Sequence, residues 1–222
     1  MPDQDATPAA YVFDAYGTLF DVHSAVRRHA GDLGETLSEI WRAKQLEYSW
    51  VRELTGAYLD FRTLTEQALD YAMASVPEIE TSLRARLLEA YWELDCYEEV
   101  PEVLSRLKES GARVAILSNG SPDMLRSATK NAGIDTLLDD VFSVHPIARY
   151  KTASPTYRLV TDAYDIAPGA VSFHSSNRWD IAGARAFGFR PVWINRNAKP
   201  DEYTDLPPER VLASLSGLAA GC

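Results

Sequence analysis

A chain of 222 residues, 46% of them hydrophobic, is long enough to bury a full core as one large domain or two small ones. Its net charge of -10, with no long basic tract to offset it, argues against a nucleic-acid or membrane-surface partner. Its cysteines, Cys96 and Cys222, offer neither a disulfide framework nor Cys/His metal spacing, and an acidic start with no apolar leader and no apolar run of roughly 18 residues points to a reducing, cytoplasmic setting.

The first element is Tyr11-Val12-Phe13-Asp14, a short apolar run that ends in a carboxylate and breaks at Gly17-Thr18. This pattern predicts a core strand with Asp14 at its C-terminal end. Two jobs stand open for Asp14 here: a turn acid accepting from nearby backbone N–H groups, or a nucleophile presented to a pocket. From about Asp21 to Cys96 strand signals are missing. Leu37, Ile40, Trp41, Tyr48, Val51 and Leu54 recur at helical spacing, as do Leu83, Leu87, Leu88, Tyr91 and Leu94. Between them Thr63-Leu64-Thr65-Glu66 reads as a helix start, with Thr63 as cap and Glu66 as its partner.

The pattern then alternates. Pro101 opens a helix ending at Gly111, and Arg113 to Leu117 reads as a buried strand running into Ser118-Asn119-Gly120. Ser121-Pro122-Asp123 starts a helix closed by Gly133; Val141 to Val144 is a short strand, and a helix from Pro155 to Tyr164 follows. Pro168-Gly169 introduces a strand from Ala170 to Phe173, then Ser175-Ser176-Asn177, a helix ending near Gly188, and a last strand from Pro191 to Ile194. After Asn197 a surface segment with a short final helix is expected. Strands alternating with helices imply a parallel α/β sheet. In such a sheet Asp14, Ser118, Asn119, Lys151 and the Ser175 to Asp180 segment gather at one edge, where ligands bind. The expected organisation is a Rossmann-like core, residues 1–20 and 98–222, with an inserted helical cap domain, residues 21–97.

Taken together, Phe13-Asp14-Ala15-Tyr16-Gly17-Thr18-Leu19, the second-strand Ser118-Asn119, Lys151 and Ser175-Ser176-Asn177-Arg178-Trp179-Asp180 resemble the haloacid dehalogenase superfamily. With Ile40-Trp41-Arg42 and Lys44 to Trp50 added, the likeness is to its (S)-2-haloacid dehalogenases, over nearly all of Tyr11 to Ile194. The superfamily's phosphatases place a second Asp two residues after the nucleophile, beside Mg²⁺. Here that position is Tyr16, which speaks against a metal and against phosphoryl transfer. Expulsion of halide from carbon needs neither, so no cofactor is expected.

The resemblance implies a role for each residue. Asp14 attacks the carbon bearing the halogen and forms an ester. Lys151 offsets its charge, Thr18 bonds to it, and Tyr157 supports the same network. Ser118 and the backbone N–H groups of Ala15 and Asn119 hold the substrate carboxylate, while Arg42 and the Asn119 amide face the departing halide. Asp180 activates the water that hydrolyses the ester, with Ser175 and Asn177 ordering it. Tyr16, Leu46, Phe61 and Trp179 enclose the alkyl side. The expected partners are a small 2-haloacid anion and water, with a homodimer formed through the cap helices. Thr152, Ala43 and His174 depart from the family pattern, standing where relatives often carry Pro, Gln and an apolar residue.

Other readings stay beside these. Arg42 and Lys151 could be solvated surface cations, and Asp180 could cap the following helix, a role compatible with catalysis. His174 is either structural or helps deprotonate the hydrolytic water; His23, His29 and His145 read as structural. For the whole chain the rivals are a haloacetate- or fluoroacetate-preferring dehalogenase, a phosphatase-like hydrolase that recruits Mg²⁺ differently, and an anion-binding protein without turnover.

Overall fold

The chain alternates strands and helices because short β-branched and aromatic runs are separated by amphipathic stretches with helix starts such as Pro122 and Pro155. The computed structural model describes residues 7–221, so the readings of the first residues and of Cys222 fall outside the described residues. Six strands, β1 (Ala10–Phe13), β2 (Arg113–Ser118), β3 (Asp140–Ser143), β4 (Val171–Ser175), β5 (Arg190–Ile194) and β6 (Arg210–Leu212), form one sheet in the order β3-β2-β1-β4-β5-β6. All pairings are parallel. Strand β1 is central: Phe13 pairs with Ile116 on one side and His174 on the other, and Ala10, Val12 and Phe13 are fully buried. The connection reverses direction across β1, and the crevice beyond the C-terminal strand ends at such a reversal is where α/β sheets place ligands.

Between β1 and β2 lie five helices, α1 (Val22–Ala30), α2 (Gly34–Thr55), α3 (Phe61–Ser75), α4 (Arg84–Trp92) and α5 (Val100–Glu109); after β2 come α6 (Pro122–Asn131), α7 (Ser154–Tyr164) and α8 (Arg178–Phe187). Helix α2 packs on α1 and α3. Its C-terminal Glu53 ties it to the segment that carries Lys151, accepting from the Arg149 guanidinium and, at 2.7 Å, from the Tyr150 backbone N–H. No helix among the described residues is long and apolar enough to cross a membrane.

Three local expectations need correcting. The cap of α3 is Asp60, not Thr63: Asp60 has the extended backbone a cap requires and accepts from Thr63 N at 3.1 Å. The Thr63 hydroxyl donates to Asp60, and Glu66 takes the Arg62 guanidinium, so the Thr/Glu pair that mimics a capping box is used otherwise. Strand β4 continues through His174 and Ser175, because β1 supplies a ladder partner as far as His174 and β5 as far as Ser175. The tail forms a sixth strand before its short 3₁₀ helix, Leu215–Gly221. Strand β6 is a three-residue edge strand, mostly exposed, and it has no apolar alternation to betray it.

Candidate active site

Asp14 follows β1, and its surroundings are set by the turn after it. Gly17 has φ 84, a region that disfavours any side chain. There the chain doubles back, with Gly17 N donating to Phe20 O at 2.8 Å and Leu19 N to Ala15 O at 2.9 Å. Thr18 is thereby returned to Asp14: its hydroxyl donates to Asp14 Oδ2 at 3.2 Å and accepts from Ser176 N at 2.8 Å. Two more donors reach Oδ2 from the end of β4 and just past it, Ser175 Oγ at 3.4 Å and Asn177 Nδ2 at 2.7 Å. Lys151 Nζ takes the other oxygen, Oδ1, at 3.1 Å.

The same ammonium donates to Asp180 Oδ2 at 2.8 Å, and Tyr157 OH donates to Asp180 Oδ1 at 2.8 Å. Lys151, Asp180 and Tyr157 are essentially inaccessible to solvent. Burial alone would lower the Lys151 pKa; the charges of Asp14 and Asp180 outweigh it and hold the ammonium above its ordinary value. Burial raises Asp180 above the usual carboxylate range, against the pull of Lys151. Burial, followed by the Asp180 charge, pushes the Tyr157 hydroxyl up, so it stays a donor.

Ser118 ends β2, a step beyond the level of Asp14, and its hydroxyl accepts from Gly120 N at 3.1 Å. Asn119 Oδ1 accepts from Lys151 N at 3.0 Å, which leaves its amide N–H₂ as the edge for a ligand. From the helical segment come Arg42 and Leu46, one turn apart on α2. Arg42 Nη2 makes a long contact, 3.5 Å, to the carbonyl of Tyr16, and its guanidinium lies beside the Tyr91 hydroxyl. Tyr16, Arg42, Leu46, Asn177 and Trp179 share the wall of a cavity of about 440 Å³. Phe61 is a step removed from that wall and stacks behind Tyr16, centroids 5.7 Å apart. Ala15 lies between Asp14 and Tyr16, fully buried, with its carbonyl taken by the turn.

His174 faces away from this cluster. Its ring stacks on Phe13 at 4.6 Å and lies within reach of Val12 O at 3.3 Å and Ser172 Oγ at 3.2 Å; burial lowers its pKa to about 3. That geometry gives the ring a structural setting. Asp14 and Asp180 are both engaged by the Lys151 ammonium, Tyr16 offers no carboxylate, and no three His, Cys, Asp or Glu side chains converge among the described residues, so these residues do not fit Mg²⁺.

Sequence reasoning missed two supports. Tyr91 OH donates to Gln45 Oε1 at 3.0 Å and Gln45 Nε2 to Thr65 Oγ1 at 2.9 Å, a buried chain that locks the face of α2 next to Arg42. Its members are far apart in the chain, so no local motif reveals them. Gly183 on α8 leaves room for Tyr157: a Cβ there would collide with the Tyr157 hydroxyl and with Thr152. A glycine inside a helix was the available signal.

Residues 8–188 match the family model of the haloacid dehalogenase-like hydrolases. The chain is 49% identical to (S)-2-haloacid dehalogenase 1 of Pseudomonas sp. (strain CBS-3), over 94% of both chains. It superposes on a solved dehalogenase with intermediate complex at a TM-score of 0.93, with 43% identity over 96% of each chain. For the L-2-haloacid dehalogenase of Xanthobacter autotrophicus with chloropropionic acid covalently bound, the TM-score is 0.86 at 35% identity, covering 96% of this chain and 98% of that one. With fold, site and relatives in agreement, the chain belongs to the haloacid dehalogenase-like hydrolases, among their (S)-2-haloacid dehalogenases.

Proposed function

We propose that the protein converts short (S)-2-haloalkanoic acids and water to (R)-2-hydroxyalkanoic acids and halide through an ester on Asp14. The observation that carries this reading is the asymmetric grip on Asp14: three donors hold Oδ2, while among the described residues Oδ1 meets Lys151 alone and keeps a free edge for attack. Oδ1 displaces halide from the rear of C2, inverting it once. The new C–O bond takes the place of the C–halogen bond, and the halide leaves with the electron pair toward Arg42 and the Asn119 amide. Ser118 and the backbone N–H groups of Ala15 and Asn119 hold the substrate carboxylate; each such charge-assisted contact is worth roughly 1.5–3 kcal/mol. Tyr16, Leu46 and Trp179 cover the alkyl side, with Phe61 backing Tyr16.

Water then attacks the Asp14 carbonyl carbon and passes a proton to Asp180. Collapse restores the Asp14 carboxylate, and the departing alkoxide takes the second hydrogen. Burial of Asp180 supports this role, because a carboxylate raised toward neutral pH is a better base. Tyr157 steadies it, and Ser175 and Asn177 order the water. The reaction takes place in a cleft between the core, residues 1–20 and 98–222, and a cap, residues 21–97, whose closure expels water. The same reading includes a cytoplasmic homodimer, supported by the exposed Trp50, Val51 and Leu54 on α2 and tested by light scattering.

A single turnover in H₂¹⁸O with (S)-2-chloropropionate and enzyme in excess tests the mechanism. Label is expected in the Asp14 peptide and not in the first lactate formed. Label going straight into lactate would show water attacking C2 directly and would reduce Asp14 to a base.

A further inference from the structure

Helix α2 meets the core along one line of side chains. Arg42, Leu46 and Trp50 stand four residues apart, and Glu53 follows three later, so all four share a face of the helix. Three of them have a part above: Arg42 reaches the Tyr16 carbonyl, Leu46 lines the cavity with Tyr16 and Trp179, and Glu53 accepts from Arg149 and from the Tyr150 N–H. The reaction gives Trp50 none. Its ring meets the Trp179 ring edge to face, with centroids 5.7 Å apart and planes at 83°. Two aromatic rings attract in that arrangement because the positive edge of one faces the negative face of the other. Trp179 lines the cavity and Trp50 does not, so Trp50 supports the substrate wall from behind.

Trp179 needs such a support. It lies in the first turn of α8 between Arg178 and Asp180, which are both buried, while its own side chain is only half-buried. A half-exposed indole keeps rotamer freedom unless a neighbour removes it. A substrate wall is only as definite as the rotamers that form it. Trp50, 38% exposed, is itself placed by its helix: Glu53 holds α2 to the core within a turn of it, and Gln45 holds α2 to Thr65 and Tyr91 on the other side.

We infer that Trp50 is a positioning residue for selectivity at C2. It fixes the Trp179 indole against the alkyl side of the substrate, so that α2 sets the preference between haloacids with an alkyl group on C2 and haloacetates, which have none. The inference rests on the reading above, in which Trp179 covers the alkyl side. The alkyl group takes no part in bond making or breaking, and loss of such uniform binding shows in KM and not in kcat.

The test compares (S)-2-chlorobutyrate with chloroacetate as substrates of the wild type, Trp50→Ala and Trp50→Phe. Trp50→Ala is expected to raise the KM for chlorobutyrate relative to that for chloroacetate about fivefold, with kcat for both held within about twofold. Trp50→Phe keeps an aromatic edge and should recover most of that ratio. Where Trp50→Ala fails to fold, Trp50→Leu has the same expected outcome. Equal changes for the two substrates would overturn the proposal, since Trp50 would then act on Arg42 or on the fold as a whole. So would an unchanged ratio accompanied by a smaller particle in light scattering, which would make Trp50 a contact between copies only. Calorimetric titration with unreactive butyrate and acetate reads the same ratio without turnover. Chloride release from chloroacetate by the wild type judges the dehalogenase reading separately.

Discussion

The sheet edge and helix α2 face each other across the same cavity, yet they are finished to different degrees. On the sheet side Asp14 meets four side-chain donors, and its Lys151 is shared with a fully buried Asp180 that Tyr157 also holds. On the helical side Arg42 has only a long 3.5 Å contact to a backbone carbonyl and the neighbouring Tyr91 hydroxyl, with no carboxylate paired to it among the described residues. The reacting group is therefore positioned before any ligand arrives, at the cost of burying three charges together. The helix holds a cation in reserve, and the ligand completes its coordination. Preorganisation of this kind places electrostatic stabilisation where charge develops, without reorganisation during the reaction.

Substitutions should separate the two sides. Asp14→Asn keeps the shape and removes the nucleophile, so halide release should fall by about 10³-fold or more. Lys151→Met leaves Asp14 and Asp180 buried without their cation; a loss of about 3–5 kcal/mol in urea unfolding is expected together with the loss of activity. Arg42→Gln should instead cut kcat/KM by roughly 10- to 100-fold, with stability changed by less than about 0.5 kcal/mol. If Arg42→Gln unfolds as readily as Lys151→Met, the contrast between a finished and an open side is wrong.

Two smaller effects sharpen it. Gly183→Ala forces Tyr157 away from Asp180, and the second half-reaction should slow about 10-fold while the first burst of halide persists, as rapid-quench kinetics would report. For His174, burial holds the folded pKa near 3, below the ordinary 6.5. The unfolded chain thus takes up a proton that the native state refuses, and stability drains away as pH falls from 6.5 toward 3. Relative to His174→Phe, the wild type should lose about 1 kcal/mol between pH 6.5 and 5.5. Ester hydrolysis by His174→Gln should be unchanged, since the ring contacts Val12 and Ser172.

Legibility in the sequence follows the same divide. The sheet edge is written in short local segments: an apolar run, then Asp14 and Gly17-Thr18; another, then Ser118-Asn119; a third, then Ser175 to Asp180. Parallel pairing brings such segments together whatever lies between them, so their convergence could be read from alternation of elements alone. The helical side resists this reading. Gln45, Thr65 and Tyr91 meet only because three helices pack, and Trp50 meets Trp179 only because α2 lies against the start of α8. Thr63 and Glu66 carry the sequence signature of a cap without its backbone geometry, which falls to Asp60.

Glu53 gives α2 a mechanical character. Fastened to Arg149 and to the Tyr150 amide, the helix is a rod pinned near one end, directly against the residue before Lys151. Arg42 sits eleven residues back along that rod, a lever arm of about 16 Å at 1.5 Å per residue. Because Gln45 couples α2 to Thr65 on α3 and Tyr91 on α4, any tilt about that pin is shared by the three helices, and a few degrees of it would sweep the guanidinium by an ångström or so while hardly moving the ammonium. A gap set in this way would be adjusted by the helices as one piece, leaving the charge balance at Asp14 undisturbed.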